Sequence, residues 1–166
     1  MGTKGATGLE RIFLGSNTLT AIKTLTCPVI IIPPGAVYST VKKIGFAVDF
    51  KAILETIHAE NIHHFCTLFD AEIHILNVDK DDKHFNAATA HETFTLHNMM
   101  ADLNPEYHLL NSADVEKAIH EFAEHNNLDM LLIVPRKHSI FEELFHRSHT
   151  AELIYHSRIP ICSIHG

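Results

Sequence analysis

Residues 2–34 read GTKGATGLERIFLGSNTLTAIKTLTCPVIIIPP, a glycine-rich segment followed by an apolar one. It begins with Gly2-x-x-Gly5, continues for nine residues and then gives Gly15-Ser16. Glycine has no Cβ, so its N–H can approach an anion closely and its backbone can turn with positive φ. Ser16 is placed to cap the helix that follows, whose first amides would face the anion. The spacing therefore indicates a phosphate-binding loop, with a plain surface loop as the alternative.

An apolar run follows that helix and ends in two prolines. Residues 27–32 read CPVIII, without the polar alternation of a half-buried strand, which predicts a buried strand. No strand precedes the glycine stretch, where an α/β nucleotide fold needs one. Met1 stands directly before that stretch, and the sequence leaves open whether it is a natural start or a truncation.

Comparison of the chain with itself reveals a repeat that accounts for the missing strand. A shift of 132 positions brings seven identical pairs into register over residues 3–32, where composition alone would give roughly two. The pairs are Glu10 with Glu142, Phe13 with Phe145, Ser16 with Ser148, Thr18 with Thr150, Ile22 with Ile154, Pro28 with Pro160 and Ile32 with Ile164. The second copy is complete, and the first is only its carboxyl-terminal part.

The glycine spacing, the CPV strand and the segment 44–49, IGFAVD, together resemble the universal stress protein family of the tandem type. The resemblance divides the chain into 1–34, the end of a first such domain, and 40–166, a complete second domain. It implies an α/β, Rossmann-like fold with an open parallel five-stranded sheet in the order 3-2-1-4-5 and helices on both faces. A helix and strand from the truncated first repeat would be added. In the family the fifth strands of two domains meet, so 27–32 should lie beside 160–164.

Hydrophobic periodicity predicts alternating strands and helices, which indicates right-handed βαβ crossovers. The predicted helices are 17–25, 50–69, 86–103, one capped by Ser112 and 140–158, and the predicted strands are 27–32, 41–48, 73–78, 107–110, 130–134 and 160–164.

The resemblance also implies a nucleotide site, formed in the family by an acidic residue after the first strand and the glycine loop after the fourth. The residues carried over are Gly2, Gly5, Gly15, Ser16, Asn17 and Asp49, with ATP or a related adenine nucleotide and Mg²⁺ as ligand. In the second copy the glycines are replaced by Val134, Lys137 and Arg147, so that copy looks degenerate as an ATP site. Asp49 has helix capping as an alternative role.

Two functions of different classes follow. In the first, the parent protein is a universal stress protein that binds an adenine nucleotide in a stress response. In the second, the chain is a dimerisation or scaffold module that binds no nucleotide and self-associates through fifth-strand edges. Nothing in the sequence nominates a general base or nucleophile, so we expect no enzyme, with weak ATPase activity left open.

The composition limits which binding partners and which cellular compartment we expect. The net charge is −7 and no Lys/Arg cluster appears, which argues against nucleic acid. The chain has only three cysteines, Cys27, Cys66 and Cys162, an odd number that does not fit a set of disulfides. We therefore expect them to be small core residues in a reducing compartment. No apolar run is long enough to span a bilayer and no signal segment is evident, so we expect a cytoplasmic protein without a membrane partner.

Fifteen histidines raise a third, weaker possibility, a zinc-binding stress protein. Candidate ligand groups are His63 with His64, His146 with His149, and the loop residues Asp79, Asp81, Asp82 and His84. Structural zinc usually takes four ligands, often with cysteine, and the cysteines are not spaced for it. We therefore favour solvated helix positions for the histidines and predict no metal site.

Overall fold

The computed structural model describes residues 24–33, 39–48, 59–79, 87–134 and 157–164, together with Thr18, Ala21, Ile22, Ala36 and Phe50. The strands are β1 (Val29–Ile31), β2 (Lys43–Ala47), β3 (Glu72–Asp79), β4 (Glu106–Asn111), β5 (Met130–Ile133) and β6 (Ile161–Ser163). The helices are α1 (Ala59–Phe69), α2 (Ala87–Met100), which continues into a 3-10 turn (Ala101–Leu103), and α3 (Val115–His125). Thr18, Ala21, Ile22 and Thr24 are also helical. Of the predicted helix 140–158, residues 140–156 lie outside the described residues, and Ser157 and Arg158 are not helical.

All six strands belong to one sheet, in the order β1-β6-β5-β2-β3-β4. Neighbouring strands from β6 to β4 are parallel, and their order is the predicted 3-2-1-4-5 when β2 is counted as the first. β1 runs antiparallel to β6, with Ile30 opposite Cys162. The position expected for 27–32 is therefore confirmed. The sheet differs from a purely parallel one because β1 joins its edge in the opposite direction.

Apolar side chains cover the sheet on the face that carries α1 and α2. Ile62 and Phe65 of α1 and Leu96 and Met100 of α2 pack on Phe46 of β2, and all five side chains are buried. Each helix contributes one apolar stripe at a spacing of three or four residues. Phe94, 63% exposed, and Met99, 46% exposed, lie outside that stripe of α2.

The opposite face of the sheet carries α3 and the segment that leads into β1. Ile119 of α3 packs with Leu131 of β5, and Ile22 and Ile31 join the same buried cluster. Two residues of the first copy are thus fully buried against the complete copy. Burial of such large aliphatic side chains stabilises the fold by about 1.5–3 kcal/mol each.

Gly45 allows this second face to pack closely. A Cβ at this position would lie 2.5 Å from Leu128 Cδ1 and 3.0 Å from Leu131 Cδ2. Both leucines are buried, so neither can move away into solvent. The absence of a side chain on β2 therefore lets the loop after α3 pack directly on the strand.

Two assignments made from the sequence are wrong. The N-cap of α3 is Asp114, whose side chain accepts a hydrogen bond from Lys117 N at 3.0 Å. Ser112 lies two residues too early, and its hydroxyl instead exchanges hydrogen bonds with the backbone of Asp114. Cys27 is exposed rather than in the core, because β1 begins only at Val29, whereas Cys66 and Cys162 are buried as expected.

Among the described residues no helix has the length and apolar character needed to cross a membrane.

Candidate functional site

The six residues of the predicted nucleotide site, Gly2, Gly5, Gly15, Ser16, Asn17 and Asp49, lie outside the described residues. The structure does describe the end of β2 just before Asp49. Val48 N donates to Leu76 O at 2.9 Å, and Val48 O accepts from Asn77 Nδ2 at 3.0 Å. β3 therefore fixes the backbone at the point where the chain leaves β2.

The carboxyl ends of β2 and β5 lie at the point where the strand order reverses. The chain goes from β2 to β3 on one side, while β5 and β6 lie on the other. In open α/β sheets ligands bind outside the carboxyl ends of the strands at such a point. Val134, which follows β5 there, is buried. The carboxyl ends of β2 and β5 therefore lie at the position where folds of this kind bind ligands.

The metal-ligand groups suggested by the sequence are not brought together in the part of the chain that the structure describes. His63 faces Asp102, with 2.6 Å between Nε2 and Oδ2, and this hydrogen bond holds the pKa of the Asp102 carboxyl below its usual range. His64 is exposed. Asp79 is buried in β3, but Asp81, Asp82, His84, His146 and His149 lie outside the described residues.

A different cluster of possible ligands lies on neighbouring parallel strands. His74 of β3 stands opposite Glu106 of β4, and His108 follows two residues later on the same face of β4. His74 Nδ1 lies 3.1 Å from His108 Nε2 and 3.5 Å from Glu106 Oε2. His108 Nε2 lies 3.7 Å from the same Glu106 oxygen. Three potential ligand atoms therefore converge on one point.

Packing holds both imidazoles of this cluster in place. Phe122 of α3 lies over His108 with ring centroids 4.5 Å apart, and its ring is 6.4 Å from that of His74. The two imidazoles stack with an interplanar angle of 26°. Burial lowers the pKa of His108, the charge of His74 lowers it further, and Glu106 acts in the opposite direction. The environment thus favours the neutral form of His108.

A local signal in the sequence could have revealed this cluster. The pattern Glu-x-His occurs twice, as Glu72-Ile73-His74 and as Glu106-Tyr107-His108, at the start of two predicted strands that neighbour each other in the order 3-2-1-4-5. Residues at i and i+2 of a strand share a face. Adjacent histidines and helical spacing do not indicate this pair, because only strand pairing brings His74 and His108 together.

Next to the cluster, at the amino-terminal edge of β3 and β4, the surface forms an open cleft of about 470 Å³. Its lining includes four acidic side chains, those of Asp70, Glu72, Asp102 and Glu106. Glu72 and Glu106 also flank His74, so solvent has access to the carboxylates of the cluster.

Fold and strand order define an open α/β protein with a mixed six-stranded sheet and a helix-strand segment added at one edge. No protein-family model and no curated protein matches the sequence. Solved structures do match. One is a universal stress protein from Archaeoglobus fulgidus DSM 4304, with a TM-score of 0.62, 20% identity and coverage of 99% of this chain and 59% of that chain.

Two further structures show the same likeness. A protein of unknown function from Pseudomonas aeruginosa PAO1 gives a TM-score of 0.66 at 14% identity, covering 99% of this chain and 61% of that chain. A universal stress protein in complex with cAMP gives 0.57 at 14% identity, covering 76% of this chain and 98% of that one. The chain therefore has the universal stress protein fold. It spans about three fifths of the two larger structures.

Proposed function

We propose that the chain belongs to a stress-response protein that binds an adenine nucleotide through its amino-terminal glycine stretch. The observation that carries the proposal is the fold, which the chain shares with a universal stress protein in complex with cAMP. Gly2, Gly5 and Gly15 would bring backbone amides to the phosphates, and Ser16 and Asn17 would begin the helix whose amino end faces them. Mg²⁺ would accompany a triphosphate.

The direction of β1 separates the two parts of the proposed ligand set. β1 runs antiparallel to β6, and β6 is parallel to β5 and β2, so the carboxyl ends of β1 and β2 lie at opposite edges of the sheet. In this fold a glycine loop follows a strand at the carboxyl edge of the sheet. The glycine stretch belongs to the same copy as β1, whereas Asp49 follows β2 of the other copy. We therefore assign the phosphate contacts to the glycine stretch and place Asp49 at a second, degenerate crevice.

The pattern of substitutions in the complete copy supports that division. Val134, Lys137 and Arg147 replace the three glycines. Side chains at these positions keep backbone amides away from a phosphate, so charge alone would attract an anion only weakly. The proposed role is binding rather than catalysis, and the proposed compartment is the cytoplasm, where three free cysteines stay reduced.

Calorimetric titration of the purified chain with ATP and Mg²⁺ tests the proposal. The test variant carries Gly5→Val and Gly15→Val. The control variant carries Leu9→Val and Leu14→Val, which place valine in the same stretch and keep the glycines. We expect the wild type and the control to bind with micromolar affinity and the glycine variant to lose binding. Absence of binding to the wild type would refute the proposal.

Asp49→Asn refines the assignment within the same experiment. If Asp49 belongs to a separate crevice, this variant should bind ATP like the wild type. A loss comparable with that of the glycine variant would mean that one site uses both parts, for example with Asp49 supplied by a neighbouring chain.

A second candidate function is a scaffold module that binds no nucleotide, and the pairing of β1 with β6 favours it. Main-chain pairing with Ile31 opposite Ile161 and Val29 opposite Ser163 shows that the fifth-strand edge of the complete copy accepts an added strand. In a longer protein, or between chains, the same edge would serve assembly. This candidate predicts no ATP binding by any variant.

A further inference from the structure

The cluster on β3 and β4 combines two imidazole nitrogens with a carboxylate oxygen. We propose that His74 Nδ1, His108 Nε2 and a Glu106 carboxylate oxygen bind a divalent transition-metal ion, for which zinc is the best fit. This site is separate from the proposed nucleotide site and uses none of its residues.

The spacing of the three ligand atoms matches a tetrahedral centre. Zinc binds histidine nitrogen and carboxylate oxygen at about 2.0–2.2 Å, so two ligands of a tetrahedral ion stand about 3.3–3.5 Å apart. The three observed separations are 3.1, 3.5 and 3.7 Å. An ion could therefore enter with shifts of a few tenths of an ångström in the side chains.

Ligand chemistry selects the class of ion. Two neutral imidazoles and one carboxylate suit zinc and its neighbours in the first transition row. Magnesium and calcium prefer shells made almost wholly of oxygen ligands, which two imidazoles do not supply.

The other nitrogen of His74 gives independent support. Nε2 is buried without a hydrogen-bond partner, and the His74 side chain is only 5% exposed. When Nδ1 binds the metal, the ring proton must sit on Nε2. Glu72 Oε2 lies 3.9 Å from Nε2, too long for a hydrogen bond but on the correct side of the ring. Glu72 is thus placed to orient His74, as carboxylates commonly do for zinc-binding histidines.

Access to the site is open. The Glu106 side chain is 69% exposed, and Glu72 and Glu106 both line the cleft at the amino-terminal edge of β3 and β4. An ion can reach the histidines from solvent through the exposed Glu106 carboxylate, and a water molecule can take the fourth position. The zinc site shares no residue with the proposed nucleotide site, and β4 and β1 are the two end strands of the sheet. Zinc binding and nucleotide binding can therefore fail independently.

Zinc titration of the full chain against a chromophoric chelator tests the site. We expect one high-affinity zinc per chain in the wild type. His108→Gln and Glu106→Gln each remove a ligand and should abolish that stoichiometric binding. Glu72→Gln should weaken binding by about 10–100-fold, the usual effect of losing a carboxylate that orients a ligand. His91→Gln, which changes an exposed histidine of α2, should bind like the wild type.

Two further measurements complete the test: spectroscopy of the bound metal, and zinc binding by a variant of the alternative histidine pair, His146 and His149. Co²⁺ in place of zinc should give the visible absorption bands of a tetrahedral ion in the wild type and not in His108→Gln. Far-UV circular dichroism should show that Glu106→Gln remains folded, since Glu106 is a surface side chain. The proposal is overturned if the wild type binds no zinc, if His108→Gln and Glu106→Gln keep it, or if only His146→Gln/His149→Gln loses it.

Discussion

The three cysteines differ in burial, and burial determines the reactivity that we expect of each thiol. Cys66 on α1 and Cys162 on β6 belong to the same buried cluster, and burial raises the pKa of each thiol to about 12. Cys27 lies exposed before β1. Because the thiolate is the reactive form, the two buried cysteines should be inert in the folded chain.

Counting reactive thiols checks this expectation. With an aromatic disulfide reagent at pH 8, the native chain should react at one cysteine and the chain in guanidinium chloride at three. Cys27→Ser should abolish the native reaction. Rapid reaction of two or three thiols in the native chain would contradict the burial of Cys66 and Cys162.

The same two thiols affect stability at high pH. Their folded-state pKa values of about 12 lie above the ordinary thiol pKa of 9.0, so the folded state keeps protons that the unfolded state releases. The free energy of unfolding should therefore be unaffected by these groups below pH 9 and should fall as the pH rises from about 9 towards 12. Substitution of Cys162 by Ala should reduce that fall.

At the level of residues, the sequence predicted some roles and missed others for physical reasons. All three cysteines are predicted to be core residues, two of them because they stand in apolar strand segments. Burial is confirmed for Cys66 and Cys162 and is wrong for Cys27, which lies before β1. The cap of α3 was assigned to Ser112 because both Ser112 and Asp114 are good capping residues and the pattern does not fix the first helical residue. The proximity of His74 and His108 depends on the pairing of two strands, so the repeated Glu-x-His pattern indicates it only in combination with the strand order.

Among the elements, α3 offers a clear test of its amino-terminal cap. Asp114→Ala should destabilise the protein by about 1 kcal/mol, because the amide of Lys117 loses its acceptor. Asp114→Asn should cost much less, since Asn is an equally good cap. Urea denaturation measures the difference. Ser112→Ala serves as the control, and a larger loss for it than for Asp114→Ala would contradict the assignment.

Strands were the easiest elements to predict. The runs in β1 and β5 are continuous and apolar, which is typical of strands buried on both faces. The observed ends of the strands differ from the predicted ends by one or two residues. For example, β3 is predicted as 73–78 and observed as Glu72–Asp79. For the helices, periodicity indicated α2. It did not distinguish the exposed Phe94 and Met99 from core residues, because the face of α2 that packs on the sheet is not fixed by periodicity alone.

For the whole molecule, the pairing of β1 with β6 determines how one sheet edge is protected. An exposed edge strand is a site for association with another chain. Because β1 covers β6 within the chain, we expect a monomer in sedimentation experiments. Val29→Asp/Ile31→Asp should release β1, since both side chains are buried, and should produce dimers or larger species.

The control for this prediction is Ile32→Asp, which changes a 38% exposed side chain in the same segment and should leave a monomer. A wild-type dimer, or a strictly monomeric double variant that is still folded, would contradict the protective role of β1. The division into 1–34 and 40–166 remains a prediction, which the position of β1 supports.

The sequence could predict the order of the strands because a repeat and a family resemblance supplied long-range information that periodicity lacks. It could not supply the antiparallel direction of β1, which depends on how the two copies meet. That direction puts the carboxyl ends of β1 and β2 at opposite edges of the sheet, and on this basis we propose that the glycine stretch alone binds the phosphates.

The most direct test of the proposed function is an amide chemical-shift map of the full chain with and without ATP and Mg²⁺. We expect the largest changes at the amides of Gly5, Gly15, Ser16 and Asn17, where the phosphates would bind. No change on addition of ATP, or changes confined to the crevice around Val48 and Val134, would contradict the account.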